Sequence, residues 1–202
     1  MTAGAPKCEN DLSNRAMTDE RTTVPVINRS RLEFLVDGVF AIALTILVLE
    51  LKVPELADRR SVAELGQALA HEAPTFLSYL ASFMLLGIFW YRHNHQYEHF
   101  RVITRGMLVL HFVQLAAAAF LPFCAALLGR YPINGLSMVV YLACVLVYSW
   151  ASGATWILAR RSGAMKAELT EAAYLRSRGR WLRGCLVITS LFALYLIRLL
   201  VN

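Results

Sequence analysis

The chain has 202 residues; 57% are apolar types, 17% are charged and the formal net charge is +6. Soluble domains average about 45–50% apolar and about 25% charged, so a soluble protein is excluded. A nucleic-acid partner is excluded too, because the basic residues fall in short segments between apolar runs rather than gathering on one soluble face.

The first 30 residues are polar and charged, with Lys7, Glu9, Asp11, Asp19, Glu20 and Arg21 and no apolar core of a signal peptide. They are expected to form a disordered cytoplasmic tail over 1–30, followed by a membrane domain over 31–202. Three stretches, 74–91, 106–129 and 131–159, contain no Asp, Glu, Lys or Arg. At ~1.5 Å per helical residue, each is long enough or nearly so to cross a hydrocarbon core of ~30 Å. With two further apolar runs, the fold class is all-α and polytopic, with five spans expected at about 34–53, 74–91, 106–128, 135–159 and 184–201. Segment 168–180, which mixes Ala, Leu, Tyr174 and Arg, reads as a short cytoplasmic amphipathic helix. Pro122 is the single kink candidate.

Lysine and arginine set the expected orientation. Lys7, Arg15, Arg21, Arg29 and Arg31 precede the first span; Arg92, Arg101 and Arg105 follow the second. Arg160, Arg161, Lys166, Arg176, Arg178, Arg180 and Arg183 follow the fourth. The other side has only Lys52, Arg59, Arg60 and Arg130, so the N-terminus is expected in the cytoplasm. Five spans then put Asn202 outside.

Asp37 is the informative residue of the first span. A carboxylate just inside a span is costly unless it has a partner or sits at the interface near a helix N-terminus. At ~100° per residue, Leu35, Gly38, Thr45, Ile46, Leu49 and Val53 lie within about 60° of Ile42, and Asp37 lies about 140° away. One face is thus an apolar stripe with a single hydroxyl. On pattern alone this stripe faces lipid, a neighbouring helix or a pore.

The remaining motifs are weak. His93, His95 and His99 raise a metal reading, with His95 and His99 at helical i, i+4 spacing beside Glu98, but no cysteine or second ligand cluster completes the set. No metal, cofactor or catalytic residue is therefore expected. No G-x-S-x-G or H-E-x-x-H occurs, so intramembrane proteolysis has no nucleophile or zinc pair, and an enzyme is not expected. Cys124, Cys144 and Cys185 lie in or against apolar runs and read as reduced packing residues, and Trp90, Tyr91, Tyr131 and Trp181 as an interfacial belt.

The run from Arg31 to Glu50, RLEFLVDGVFAIALTILVLE, resembles the opening span of the transmembrane protein 175 family, the lysosomal potassium channel and its bacterial relatives. Its signature is R-x-x-x-F-S-D followed by a G-V-F-A-I-A-x-T-like run. Phe89-Trp90-Tyr91-Arg92-His93-Asn94 is similar to the family's W-x-x-H-H/N element, and Leu121-Pro122-Phe123 to another recurrent piece. The chain departs where the signature has Phe and Ser, which are Leu35 and Val36 here. It also has His111 where many relatives have Asn, and five spans where the family usually has six.

The resemblance implies a homotetrameric cation channel whose first span lines a central pore. Carried over, the apolar constriction falls on Ile42, Ile46 and Leu49 with Thr45 as the hydroxyl, while Arg31, Asp37, Trp90, His93 and Asn94 form a gating network at the cytoplasmic side. It further implies a potassium-selective or weakly selective channel for monovalent cations in a bacterial plasma membrane, with proton permeation left open. A cation-coupled transporter using Asp37 as a proton site and a non-conducting scaffold are the other classes, and liposome flux separates the three.

Overall fold

In the computed structural model, residues 29–167 and 170–201 are described; the expected tail over 1–28 lies outside them. Six α-helices follow in order: α1 Arg29–Ile46, α2 Val62–His71, α3 Ala73–Tyr97, α4 Arg105–Arg130, α5 Gly135–Arg161 and α6 Glu171–Val201. A 3-10 turn, Leu47–Glu50, extends α1. Five of these segments are long and apolar enough to span a bilayer: Arg29–Glu50, Ala73–Glu98, Arg105–Arg130, Gly135–Arg161 and Tyr174–Val201. The chain is a multi-pass, all-helical membrane protein.

The helices run past the apolar segments that mark them in the sequence. α3 continues through Arg92, His93 and Asn94 to Tyr97; Arg92 and Asn94 stay exposed while His93 turns into the bundle, and polar side chains leave the helical backbone bonds intact. The segment expected as a separate amphipathic helix is instead continuous with the last span, as α6 runs unbroken from Glu171. Gly179 and Gly184 do not end it, since a single glycine costs a helix only ~1 kcal/mol. α2 belongs to no expected element. Its N-terminus is built by Ser61, whose Oγ accepts the Glu64 N–H at 3.2 Å, while the Glu64 carboxylate accepts the N–H groups of Ala57 and Asp58 at 2.7 and 3.1 Å. α5 ends where Gly163 takes φ +64°, which lets Ala164 N–H reach Ala159 O at 2.9 Å and Gly163 N–H reach Arg160 O at 3.3 Å.

α4 is the central helix, packed against α1, α3 and α5. Its small residues Ala117, Ala118, Cys124 and Ala125 are buried and allow close helix approach, which in a bilayer replaces the hydrophobic drive of a soluble core. At Gly129 an added Cβ would meet the Thr75 Cα of α3 at 3.0 Å. Polar groups lock the crossings: Ser78 Oγ donates to Ala125 O at 2.7 Å, Tyr148 OH to Phe89 O at 2.9 Å and Gln114 Nε2 to Thr155 Oγ1 at 3.1 Å. The Phe89 and Tyr148 rings stack at 3.8 Å. Cys124, Cys144 and Cys185 are free and buried, with Cys144 Sγ against Ala117 O at 3.2 Å.

α6 docks on α5 through Trp181. This side chain is 5% exposed, so it is a packing residue and not part of an interfacial belt. Its Nε1 donates to Ser149 O at 2.8 Å, and its ring fills the space above Gly153. Tyr91 and Tyr131 remain exposed.

Candidate functional site on the exposed face of α1

One side of α1 packs into the bundle through Leu32, Val36, Phe40 and Ala43, continued by Leu47. These five recur at helical spacing and fill the main apolar cluster and its neighbour at the Arg29 end. Val39 and Leu44 flank that side, half-buried against the main cluster, and the rest of the helix from Phe34 on is open. Ile42 is 60% exposed, Ile46 42% and Leu49 72%, and Gly38 and Thr45 are exposed with them. The sequence-derived stripe is therefore the face that the chain's own helices leave uncovered. The open sector also takes in Phe34, Asp37, Ala41 and Val48. It covers about 180° of the helix at ~100° per residue.

Thr45 Oγ1 donates to Ile42 O at 2.9 Å. Directly beyond, the helix tightens into the 3-10 turn and leaves it at Leu51 in an extended conformation, three residues before Pro54, whose ring disfavours helix at the preceding residue.

At the Arg29 end, the Asp37 carboxylate accepts a hydrogen bond from Trp90 Nε1 at 2.8 Å, tying α1 to α3. Asp37, Trp90, His93 and Asn94 line one narrow cleft together with Glu33, Val36 and Tyr97. Arg31, the fifth residue of the expected network, does not line this cleft and is exposed; Arg29 makes the ion pair here, to Glu33 at 2.7 Å. His93 is 2% exposed, with its ring 5.1 Å from that of His111 and 4.6 Å from that of Tyr97. Beneath it, His93 Nε2, Tyr97 OH, both ring nitrogens of His111 and Gln114 Oε1 have no hydrogen-bond partner among the described residues. Sequence reasoning by charge missed Gln96, Gln114 and Thr155 of this polar interior; a glutamine inside an apolar run is the signal that would have found Gln114. If the Asp37–Trp90 bond holds α1 in place, Trp90→Phe and Asp37→Ala are each expected to lower unfolding free energy. A double-mutant cycle in denaturant should return a coupling of about 1–2 kcal/mol.

The sequence profile that matches this chain, over residues 31–122, is that of the endosomal/lysosomal potassium channel TMEM175. A potassium channel of Chamaesiphon minutus is 31% identical over 167 residues, covering 78% of this chain and 80% of that protein. The chain belongs to the TMEM175 family. A potassium channel of Streptomyces collinus is 31% identical over 137 residues, 66% of this chain. The human endosomal/lysosomal proton channel TMEM175 is 31% identical over 130 residues, 60% of this chain. The chain spans 65% of the length of the Streptomyces protein and 26% of the human one. In three dimensions it is similar to the crystal structure of a lysosomal potassium-selective channel TMEM175 homolog from Chamaesiphon minutus, with a TM-score of 0.72 and 26% identity. That match covers 84% of this chain and 87% of the other. Val36 is 4% exposed in the apolar cluster, so its side chain serves packing.

Proposed function

We propose that this chain is one subunit of a homotetrameric, potassium-conducting cation channel in the plasma membrane. Residues 31–202 form its channel domain, with the tail over 1–30 and the N-terminus in the cytoplasm. Ile42, Thr45, Ile46 and Leu49 line the narrow part of the permeation path, and Asp37, Trp90, His93 and Asn94 hold α1 against α3 behind it, with Arg31 at their edge.

The observation that carries this reading is the division of α1. Its buried side is committed to the chain's own core, and the stripe with the lone hydroxyl is open. A pore helix in a ring of copies needs an open sector wider than the lumen, because its flanks meet the neighbouring copies. The open sector of about 180° fits that need, and cyclic symmetry supplies the copies. A ring of branched aliphatic side chains gates by dewetting, without a carbonyl filter. With no carboxylate at the narrow part, discrimination between cations rests on the hydroxyls and the width of the ring.

The test is flux through the purified full chain in liposomes, alongside its mass in mild detergent. K⁺ uptake that exceeds Na⁺ uptake and a mass of four chains are expected, and the same vesicles with a pH dye read proton permeation. A strictly monomeric particle, or vesicles as tight as empty ones, overturns the reading, and saturable counter-flow in place of conductance assigns a transporter. Within the channel, Thr45→Ala should lower the K⁺ preference roughly two- to tenfold, a change of up to ~1.4 kcal/mol, while leaving closed vesicles tight.

A further inference from the structure

We propose that His95, Glu98 and His99 form a binding site for a divalent transition-metal ion of the Zn²⁺ type at the Arg29 end of the bundle. The sequence set this pattern aside for want of a completed ligand set. The fold adds the geometry of these three residues in three ways.

The three side chains occupy the last turn of α3 and the residues just past it, at i, i+3 and i+4, and one ligand atom from each lies within 4.8 Å of the others. Residues at this spacing share a helix face. Two imidazoles bound to one tetrahedral ion at ~2.0–2.1 Å hold their ring centres about 5 Å apart. The rings of His95 and His99 are 4.8 Å apart and nearly perpendicular, at 81°, so the rings already stand at the separation such an ion requires.

The tautomer of His99 is set. His99 Nδ1 lies 2.8 Å from the His95 carbonyl oxygen. A carbonyl only accepts, so Nδ1 carries the proton and Nε2 keeps its lone pair. His95 Nδ1 lies 3.2 Å from a Glu98 carboxylate oxygen, close to the ~3.3 Å between two ligands of one tetrahedral ion at ~2.0–2.1 Å, so an ion can take the place of the proton between them. A histidine that gives Nδ1–H to a carbonyl or carboxylate and offers Nε2 is the arrangement that orients metal-bound imidazoles. Glu98 would bind through the oxygen that faces His95 Nδ1 and would offset part of the ion's charge.

The backbone is also pinned, although α3 ends at Tyr97. His99 N–H donates to Gln96 O at 3.2 Å, and His99 O accepts Lys166 N–H at 3.0 Å. Arg101 N–H donates to Ala164 O at 2.7 Å, and Phe100 and Met165 form an antiparallel bridge. Trp156 packs against the His99 ring at 5.6 Å. A bound ion would therefore sit where the end of α3 already meets the connections that lead into α4 and α6. Donors are two imidazoles and one carboxylate, which suits Zn²⁺, Ni²⁺ or Co²⁺ over Mg²⁺ or Ca²⁺.

Calorimetric titration of ZnCl2 into the tag-free full chain in detergent at pH 7.5 tests this. One saturable site per chain is expected, insensitive to millimolar Mg²⁺. The His95→Ala/His99→Ala pair should abolish it, and Glu98→Gln should weaken it about tenfold, while His71→Ala leaves it unchanged. Both histidines lie at the surface, and unchanged melting temperatures will show the variants folded. Glu98→Gln keeps the test open if the double variant does not fold. No saturable Zn²⁺ binding by the natural chain, undiminished binding in the double variant, or undiminished binding in Glu98→Gln overturns the site.

Discussion

Ile42→Asn is expected to give the largest functional change of any single substitution in this chain. It should raise passive K⁺ and Na⁺ flux by roughly tenfold or more and bring the two rates together. Ile42 is 60% exposed in the single chain, so the change removes little packing and the assembly should keep its mass. What it removes is the apolar surface that keeps a narrow ring dry. An amide hydrates where a sec-butyl group does not, and each ~1.4 kcal/mol taken off the permeation barrier is about tenfold in rate. Leu80, 56% exposed on α3, is the control. An asparagine there should cost insertion free energy and leave permeation untouched. Unchanged flux and ion ratio in a well-folded Ile42→Asn would remove this residue from the pore.

The largest structural effect is expected at Gly153. A Cβ built there would lie 1.7 Å from two atoms of the Trp181 ring and 2.4 Å from a third, which no relaxation of a rigid indole absorbs. Gly153→Ala should expel Trp181, break its bond to Ser149 and separate the first half of α6 from α5. Losing a buried tryptophan's packing costs about 3–5 kcal/mol. The expected result is a lower melting temperature and new protease cleavage between Arg161 and Cys185. Trp181→Leu in the same chain should restore part of the loss. Gly106→Ala should do little, because the atom met there is the terminal methyl of Leu158, at 2.7 Å, and a leucine rotates. An equal loss at both glycines would refute the notch.

The spans were legible because apolar runs with little or no charge over a bilayer's thickness are a strong signal, and five long helices overlap the expected segments, the first ending at Glu50 and the last reaching back to Tyr174. The face of α1 was legible too, since Leu32, Val36, Phe40 and Ala43 leave the opposite stripe open. Helix ends were less so. Arg92, His93 and Asn94 look like loop residues by polarity yet complete α3, because a helix obeys backbone bonding rather than hydropathy at an interface. The ten residues of α2 are too short for a span search, although the Ser61-Val62-Ala63-Glu64 cap was there to read. The network around Asp37 was half legible. Trp90, His93 and Asn94 share its cleft and Arg31 does not, since rotation about the helix axis, not proximity in sequence, decides which side chain crosses to α3. The Trp181 notch and the Gln114–Thr155 bond were not legible, because membrane helices are apolar on every face and composition does not say which faces meet.

The bond from Thr45 to the Ile42 carbonyl has an electrostatic consequence. A hydroxyl whose single proton is committed to its own helix can no longer offer that proton to anything passing by. What Thr45 turns outward is the negative end of its O–H dipole. Lone pairs attract a cation and repel an anion, so a ring of such oxygens would select the sign of charge with no formal charge of its own. It would do so with little trapping, since a neutral dipole holds an ion far less tightly than a carboxylate does. Polarity at this point in the chain is thus set by the direction of one short hydrogen bond, and Thr45→Ser should preserve it where Thr45→Val erases it.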